Sequence, residues 1–354
     1  MNQAGVDVAD VVVVGAGVVG ASAAYHLARA GVAVRLVERA AGPAAGVTGG
    51  SFAWIGDRGG EWQGGAEDLR EFVQEDFRRL EAEVAGFSVR RTGSLTWAEG
   101  SLAASASASA SASASASAPV PAPGQFVIGP AEVAELEPGW REPPEHVLHS
   151  PTDGGVDPVA MVGALVDAAR SHGAEVVYGK PAGAVDRGAI VVLAAGAETG
   201  VLGRQAGIDV EVGTSPACLV RVAAPRGAAP VVRTIVAGPW FEVREVRDGE
   251  LLLTIPYAAG QSAGIVGRNA QHAVERLRSM FDGAADCRLL GHQVSDRPMP
   301  AQGPVVGFAK PDRSVYVAVM HAAITLAPTV GRLIAEEIVS GQPAEALRRC
   351  RPAV

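Results

Sequence analysis

The sequence predicts an α/β protein with two regions, the first built from strand–helix–strand units around a parallel sheet and the second mainly antiparallel β. Three observations predict it. The chain opens on "VVVVGAGVVG" followed by "LVER", a strand running into a glycine loop, a helix and a second strand. Between Val212 and Leu290 the pattern becomes short alternating strands, "CLVRVAA", "WFEVREV" and "ELLLTIPY". The end of the chain then returns to the first pattern, with "SVYVAVMH" as a strand and "TLAPTVGRLIAEEIVSG" as a helix.

The elements follow in order from local chemistry. Val11 to Val14 form a β-branched run suited to a strand buried on both faces. Val18 to Ala30 carry helix-forming alanines with Leu27 inward, and Gly31 ends that helix. After the strand "VAVRLVE" and the segment "SFAWI", a helix is expected from about Glu67 to Val84, with Leu69, Phe72, Phe77 and Leu80 at helical spacing. Residues 103–118 alternate Ala and Ser; they read either as a linker or as a surface helix, because nothing in them buries enough apolar area to fix a fold. A helix starts near Pro158, and "AIVVLAAGA" is another buried strand, ending in Ala194, Ala195 and Gly196, where small residues let a ligand approach the backbone. Within the antiparallel region a single helix is expected, over Ala270 to Phe281. In the last helix Thr325 is the expected cap, Pro328 lies in the first turn and Gly341 ends it.

Composition bounds the function. At 354 residues and 48% hydrophobic, the chain can bury a sizeable core, and its apolar runs fall short of the roughly 18 residues of a membrane span. The N-terminus shows no basic n-region of an export signal. Three cysteines, Cys218, Cys287 and Cys350, lie far apart without CxxC spacing, so neither a disulfide framework nor a metal site is expected, and a cytoplasmic location fits. A net charge of -8 with no basic stripe argues against nucleic acid as a partner. Only two lysines occur, Lys180 and Lys310.

Gly15, Gly17 and Gly20 make the GxGxxG spacing. The first allows the tight turn, the second lets a pyrophosphate reach the backbone, and the third brings helix against strand. Glu38 ends the next strand about 20 residues on, where a carboxylate accepts ribose hydroxyls and repels a 2′-phosphate. A glycine turn in an ordinary α/β sheet would not explain that acidic residue.

Together with "TGGSFAWI", "GGVDP", "VVLAAGA", "RPMPAQGPVVG" and "HAAITLAPTVGRLIAEEI", in this order, the loop resembles the D-amino acid oxidase family of FAD enzymes, near the glycine and sarcosine oxidases. The resemblance spans nearly the whole chain. It implies a Rossmann-like FAD-binding domain of the glutathione reductase type, over residues 1–95, 150–213 and 294–354, beneath a mainly antiparallel substrate domain over 96–149 and 214–293. The implied cofactor is FAD, held by Gly15, Gly17, Gly20, Glu38, Arg39, Thr48, Gly49, Ser51, Ala195 and Gly196, with the backbone of Ile324, Thr325 and Leu326 directed at the flavin. A helix start is a positive end with free N–H groups, which suits the anionic edge of a reduced flavin.

The implied reaction is oxidation of the C–N bond of an amino acid or secondary amine, by hydride transfer to flavin N5 and with O2 as acceptor. A flavin dehydrogenase and a non-catalytic FAD-binding protein are the alternatives. The resemblance aligns Arg297 with the arginine that binds the substrate carboxylate in amino acid oxidases. In sarcosine oxidases a cysteine at that position tethers the flavin, so FAD is expected here without a covalent bond. His321 reads equally as a flavin contact or as the cap of a strand end. Tyr257, His292 and Trp240 lie in or beside the antiparallel region and read either as pocket or as packing, with Tyr257 the catalytic candidate among them. His26 reads as structural. The chain departs from the family at Ala322 and Ala323, where Ser or Gly is usual, and in having no lysine suited to oxygen activation beside the ring. The partner expected is a small amine or amino acid; the sequence leaves the oligomeric state open.

Overall fold

In a computed structural model, residues 10–56, 62–97, 121–181, 189–227 and 229–353 are described, and the Ala/Ser segment at 103–118 lies outside them. β1 (Val11–Val14) is buried along its whole length. The glycine loop then leads into α1 (Val18–Arg29) and β2 (Val34–Val37). β3 (Trp54–Ile55) is followed by α2 (Ala66–Arg70) and α3 (Val73–Glu83), so the helix expected over 67–84 is two helices that break at Glu71 and Phe72. β4 (Ser94–Thr96), β5 (Phe126–Ile128), α4 (Pro130–Leu136), β6 (Val147–Ser150) and β7 (Gly154–Gly155) come next. α5 (Pro158–Ser171) starts where expected, because the Asp157 carboxylate accepts from the Val159 and Ala160 N–H groups.

β8 (Glu175–Val177), β9 (Ile190–Leu193) and α6 (Thr199–Gln205) complete the middle of the chain. β10 (Val212–Ala223), β11 (Ile235–Ala237), β12 (Glu242–Arg247) and β13 (Glu250–Ile255) are the alternating strands. α7 (Ala263–Met280) begins earlier than the expected Ala270, since Gly264 and Gly267 are helical rather than in a loop. β14 (Arg288–Pro300), β15 (Val305–Phe308) and β16 (Val315–Val319) precede α8 (Ala323–Ser340). Gly341 ends α8 in the left-handed region, at φ 70°. Two expectations for α8 are corrected: its cap position is Ala322, so Thr325 is an interior residue, and Pro328 falls in the second turn.

Six strands form the first sheet in the order β15-β16-β9-β1-β2-β8, parallel except for β15 against β16. Alternate residues serve two cores. Val11, Val13 and Leu36 pack with α1, α5 and α8 on one face, while Val12, Val14 and Val317 pack with Ile208 and Val210 on the other. α1 and α8 approach closely because both carry small residues: Ser22 Oγ donates to Ala327 O at 2.8 Å, and a Cβ on Gly331 would collide with Ser22.

The second sheet has eight strands in the order β14-β10-β13-β12-β11-β4-β6-β5, antiparallel except for β11 beside β4. α7 covers its outer face over a core that includes Val220, Val243, Leu253 and Leu277. By strand pairing, residues 94–95, 150, 212–213 and 294–300 belong with this sheet, a few positions beyond the boundaries read from sequence.

Candidate active site

The nucleotide end is built from glycines whose places nothing larger can take. Gly15 has φ 103°, and a Cβ there would sit 2.6 Å from Ala194 O. A Cβ on Gly20 would collide with Gly15 O, which brings α1 hard against the loop. Gly17 is less confined, its added Cβ meeting Thr48 Oγ1 at 3.2 Å. That hydroxyl accepts from the Val18 N–H at 3.3 Å and so covers the first turn of α1 from the side.

Glu38 does more than wait for a ribose. Its Oε2 accepts from Ala16 N–H at 2.8 Å and its Oε1 from Ala40 N–H at 2.9 Å, so the carboxylate fastens the glycine loop to the end of β2. Each oxygen keeps a further lone pair for a hydroxyl. Arg39 pairs with Glu198 on the exposed side. The segment 44–51 folds back over the loop, through Ala44 N–H to Ala16 O at 2.9 Å and Gly49 N–H to Ala44 O at 3.0 Å. Ser51 Oγ accepts from Ala53 N–H at 3.0 Å, which turns the chain toward β3. Ala195 precedes a 3-10 turn at Gly196, whose φ is 59° and whose missing side chain faces open space. This narrow glycine cradle, with a carboxylate at its far side, fits a dinucleotide.

At the start of α8, the Ala323 N–H turns back to His321 O at 2.8 Å and the Leu326 N–H makes the first helical bond, to Ala322 O at 3.0 Å. Of the three expected backbone donors, Leu326 is therefore already committed. The reason is the earlier helix start. Ile324 and Thr325 N–H groups have no acceptor among the described residues, as the first turn of a helix requires. Thr325 Oγ1 donates to Trp54 O at 3.2 Å, which ties this helix end to β3.

Over this helix end lies the inner face of the eight-stranded sheet. Glu242 stands opposite Thr254, Thr254 opposite Leu219, and Leu219 opposite Gln293. Directly paired residues share a face, and so do their neighbours two along, which adds Arg244, Ser295, Arg297 and Ser215. That this face meets the nucleotide domain is visible at three points. A Cβ on Gly50 would collide with Ser295, Arg221 donates to Gly49 O at 3.2 Å, and buried Arg244 donates to Phe52 O at 2.7 Å and Val156 O at 2.5 Å. Burial pulls the Arg244 pKa down to about 9, and its guanidinium lies 5.3 Å from the Phe52 ring centre.

Three titratable side chains meet here. Arg297 donates through Nη2 to Ser215 Oγ at 2.9 Å and through Nε to Ser215 O at 3.3 Å, and burial lowers its pKa while Glu242 opposes the change. Glu242 accepts from Thr254 Oγ1 at 2.9 Å; burial pushes its pKa up to about 7, against the Thr254 hydrogen bond and Arg297. Burial, then the charge of Arg297, lowers the pKa of His321 and favours its neutral imidazole. All three residues are half-buried, as side chains lining a recess are.

Of the expected catalytic residues, the structure thus brings Arg297 and His321 together. Tyr257 packs against the core under α7. His292 faces α7 as well, its Cε1 lying 3.7 Å from where a Cβ on Gly267 would stand, and Trp240 is exposed beside Arg276. His26 is buried and structural, its pKa lowered by burial to about 3. Sequence reasoning misses Glu242 and Arg244. Their signal is present in "WFEVREV", where alternation sets a Glu and an Arg on one face.

The sequence matches the DAO family, described as FAD dependent oxidoreductase, over residues 10–337. Glycine oxidase from Geobacillus kaustophilus superposes with a TM-score of 0.74 at 18% identity, over 98% of each chain. Iminodiacetate oxidase from Chelativorans sp. BNC1 gives 0.72 at 19%, over 97% of this chain and 98% of the other. L-proline dehydrogenase from P. horikoshii gives 0.74 at 18%, over 95% and 94%. No curated protein sequence gives a significant match. No helix among the described residues is long and apolar enough to cross a membrane. With the family matched from β1 to the last turns of α8 and the glycine cradle shaped for a dinucleotide, the chain belongs to the DAO family of FAD-dependent oxidoreductases.

Proposed function

We propose that the protein oxidises the C–N bond of an amino acid or secondary amine to an imine, using non-covalently held FAD and O2 as the final acceptor. The flavin supplies the hydride acceptor; the chain supplies grip, aim and charge. The observation that carries this reading is Arg297 on the inner face of the sheet, together with His321 above the start of α8. Ser215 takes only some of the five donors of the guanidinium, so a fork remains for a substrate carboxylate. Neutral His321 adds no competing positive charge. Gly15, Gly17, Gly20, Glu38 and Thr48 hold the nucleotide, with Arg39, Gly49, Ser51, Ala195 and Gly196 around it, and the Ile324 and Thr325 N–H groups face the anionic edge of the ring. Three unpaired, buried cysteines support a cytoplasmic setting.

A second reading, a dehydrogenase with another acceptor, is favoured by the lysines. The Lys180 N–H is bonded behind β2 to Glu38 O, and Lys310 Nζ lies near Gly207, so neither serves the recess. One experiment separates the readings. Under anaerobic conditions, at least one member of a panel of amino acids and N-methyl amines should bleach the flavin, and air should restore the colour. If none bleaches it, the chain is a binding protein; if air fails to restore it, it is a dehydrogenase. Acid denaturation should release the flavin, and its retention would refute the non-covalent assignment.

A further inference from the structure

The geometry points to Glu242 as the group that receives the substrate's ammonium and takes one proton from it, so that Arg297 and Glu242 together recognise a zwitterion. This rests on the amine-oxidising reading above. Arg297 on β14 and Glu242 on β12 share the inner face of the sheet, three strand spacings apart across it and four residues offset along it, roughly 19 Å at the backbone. Their charges influence each other, yet no direct ion pair joins them among the described residues. Each has a neutral partner instead, Ser215 for Arg297 and Thr254 for Glu242. At that separation the two side chains cannot close on each other, so each charge is left desolvated without an ionic partner, which is costly unless a ligand supplies one. The gap suits a ligand that carries both charges, carboxylate toward Arg297 and ammonium toward Glu242.

The chemistry needs the same residue. An amino acid in neutral water is an ammonium ion, whereas hydride departure from its α-carbon needs the nitrogen lone pair. The step is R–NH3+ with Glu242–COO− giving R–NH2 with Glu242–COOH; one N–H bond breaks, one O–H bond forms, and no electron is transferred. Burial makes Glu242 a better proton acceptor than an ordinary carboxylate, while Thr254 of β13 aims it. The charged groups acting there are Arg297 from β14 and, through Arg297, His321 at the start of α8; Arg244 on the same strand is committed to Phe52 O and Val156 O. A substrate carboxylate on Arg297 offsets that positive field and raises the proton affinity of Glu242 further.

The test uses Glu242→Gln holoenzyme, which keeps an acceptor for Thr254. For the panel amino acid that bleaches wild type fastest, anaerobic flavin reduction in wild type should lose rate on the acid side with an apparent pKa near 7. In Glu242→Gln that acid limb should move toward the pKa of the free amine, with at least a tenfold loss of rate at pH 7.5. An independent readout is ligand binding followed by flavin absorbance. The α-methyl analogue of the same amino acid has no α-hydrogen and cannot be oxidised, and it should bind Glu242→Gln at least tenfold more weakly, while the des-amino acid binds as well as before or better. Glu242→Asp, which retains a carboxylate, should keep the acid limb, and it decides the matter if Glu242→Gln does not hold FAD. An unchanged acid limb in Glu242→Gln, or equal loss of both ligands, overturns the proposal. Wild type that no amino acid bleaches would instead overturn the underlying reading.

Discussion

The two sheets of this chain are built to opposite rules, and the contrast separates a cradle made of backbone from a face that carries charged side chains. In the six-stranded sheet both faces are apolar, and the binding features sit on the loops at the strand ends, as backbone N–H groups, glycines and one carboxylate, Glu38. In the eight-stranded sheet the face under α7 is apolar, whereas the other sets Arg221, Glu242, Arg244 and Arg297 around a small apolar patch of Leu219 and Leu252. A ligand gripped by backbone is insensitive to most side-chain changes and very sensitive to a glycine. One recognised by side chains behaves the other way.

The comparison breaks most visibly at Gly15. Gly15→Ala adds a Cβ 2.6 Å from Ala194 O at a φ of 103°, and the strained backbone with its clash should cost about 3 kcal/mol or more. Denaturant unfolding and flavin content of the purified protein measure it, and full occupancy at wild-type stability would show that the loop can shift. In the other sheet, Arg297→Ala should leave FAD in place and lower kcat/KM on α-amino acids roughly 100-fold, the worth of a lost charge-assisted pair at about 2 to 3 kcal/mol. Arg297→Lys keeps the charge without the fork and should recover some of that loss, while amines lacking a carboxylate change little. Flavin loss in Arg297→Ala would mean that the two sheets are not separable in this way.

Glu38→Ala is the reverse case. It should weaken FAD retention by about 1.5 to 3 kcal/mol on dilution, without altering substrate preference in the molecules that stay loaded. Because Glu38 also fastens Ala16 and Ala40, a fall in apoprotein stability should accompany it, and wild-type retention would remove its ribose role. The smallest effect is expected from deleting residues 103–118, where an Ala/Ser alternation offers neither a core face nor a pocket wall. Turnover and flavin content should stay near wild type, and loss of soluble yellow protein would show that the segment packs.

What can be read in the sequence is what local chemistry dictates. The valine run of β1, the glycines and Glu38 declare themselves because period, φ and spacing are properties of a short window. The start of α8 does not. No Ser, Thr or Asp stands at Ala322, so the nearest capping type, Thr325, reads as the cap, whereas its hydroxyl is used by Trp54 on a distant strand. Gly264 and Gly267 hide the first turns of α7 in the same way. Glu242 is visible as one phase of an alternation, but which phase faces the recess depends on pairing with Thr254 and, through β10, on strands far along the chain. Tyr257 shows the converse: an aromatic near a strand end looks like a pocket residue until the register sets it against α7.

Arg244 has a mechanical meaning. Its guanidinium is anchored in two carbonyls from separate loops of the nucleotide domain, 192 and 88 residues away in sequence, and a Cβ on Gly155 would press against it at 2.7 Å. Lifting the upper sheet by even a few ångströms would break both bonds together and leave Phe52 O and Val156 O unpaired until water arrived. Arg244 is therefore a latch between the two sheets. Any separation of the sheets has to release both bonds at once, which sets a cost of roughly 1 to 3 kcal/mol per carbonyl left unpaired on such a motion.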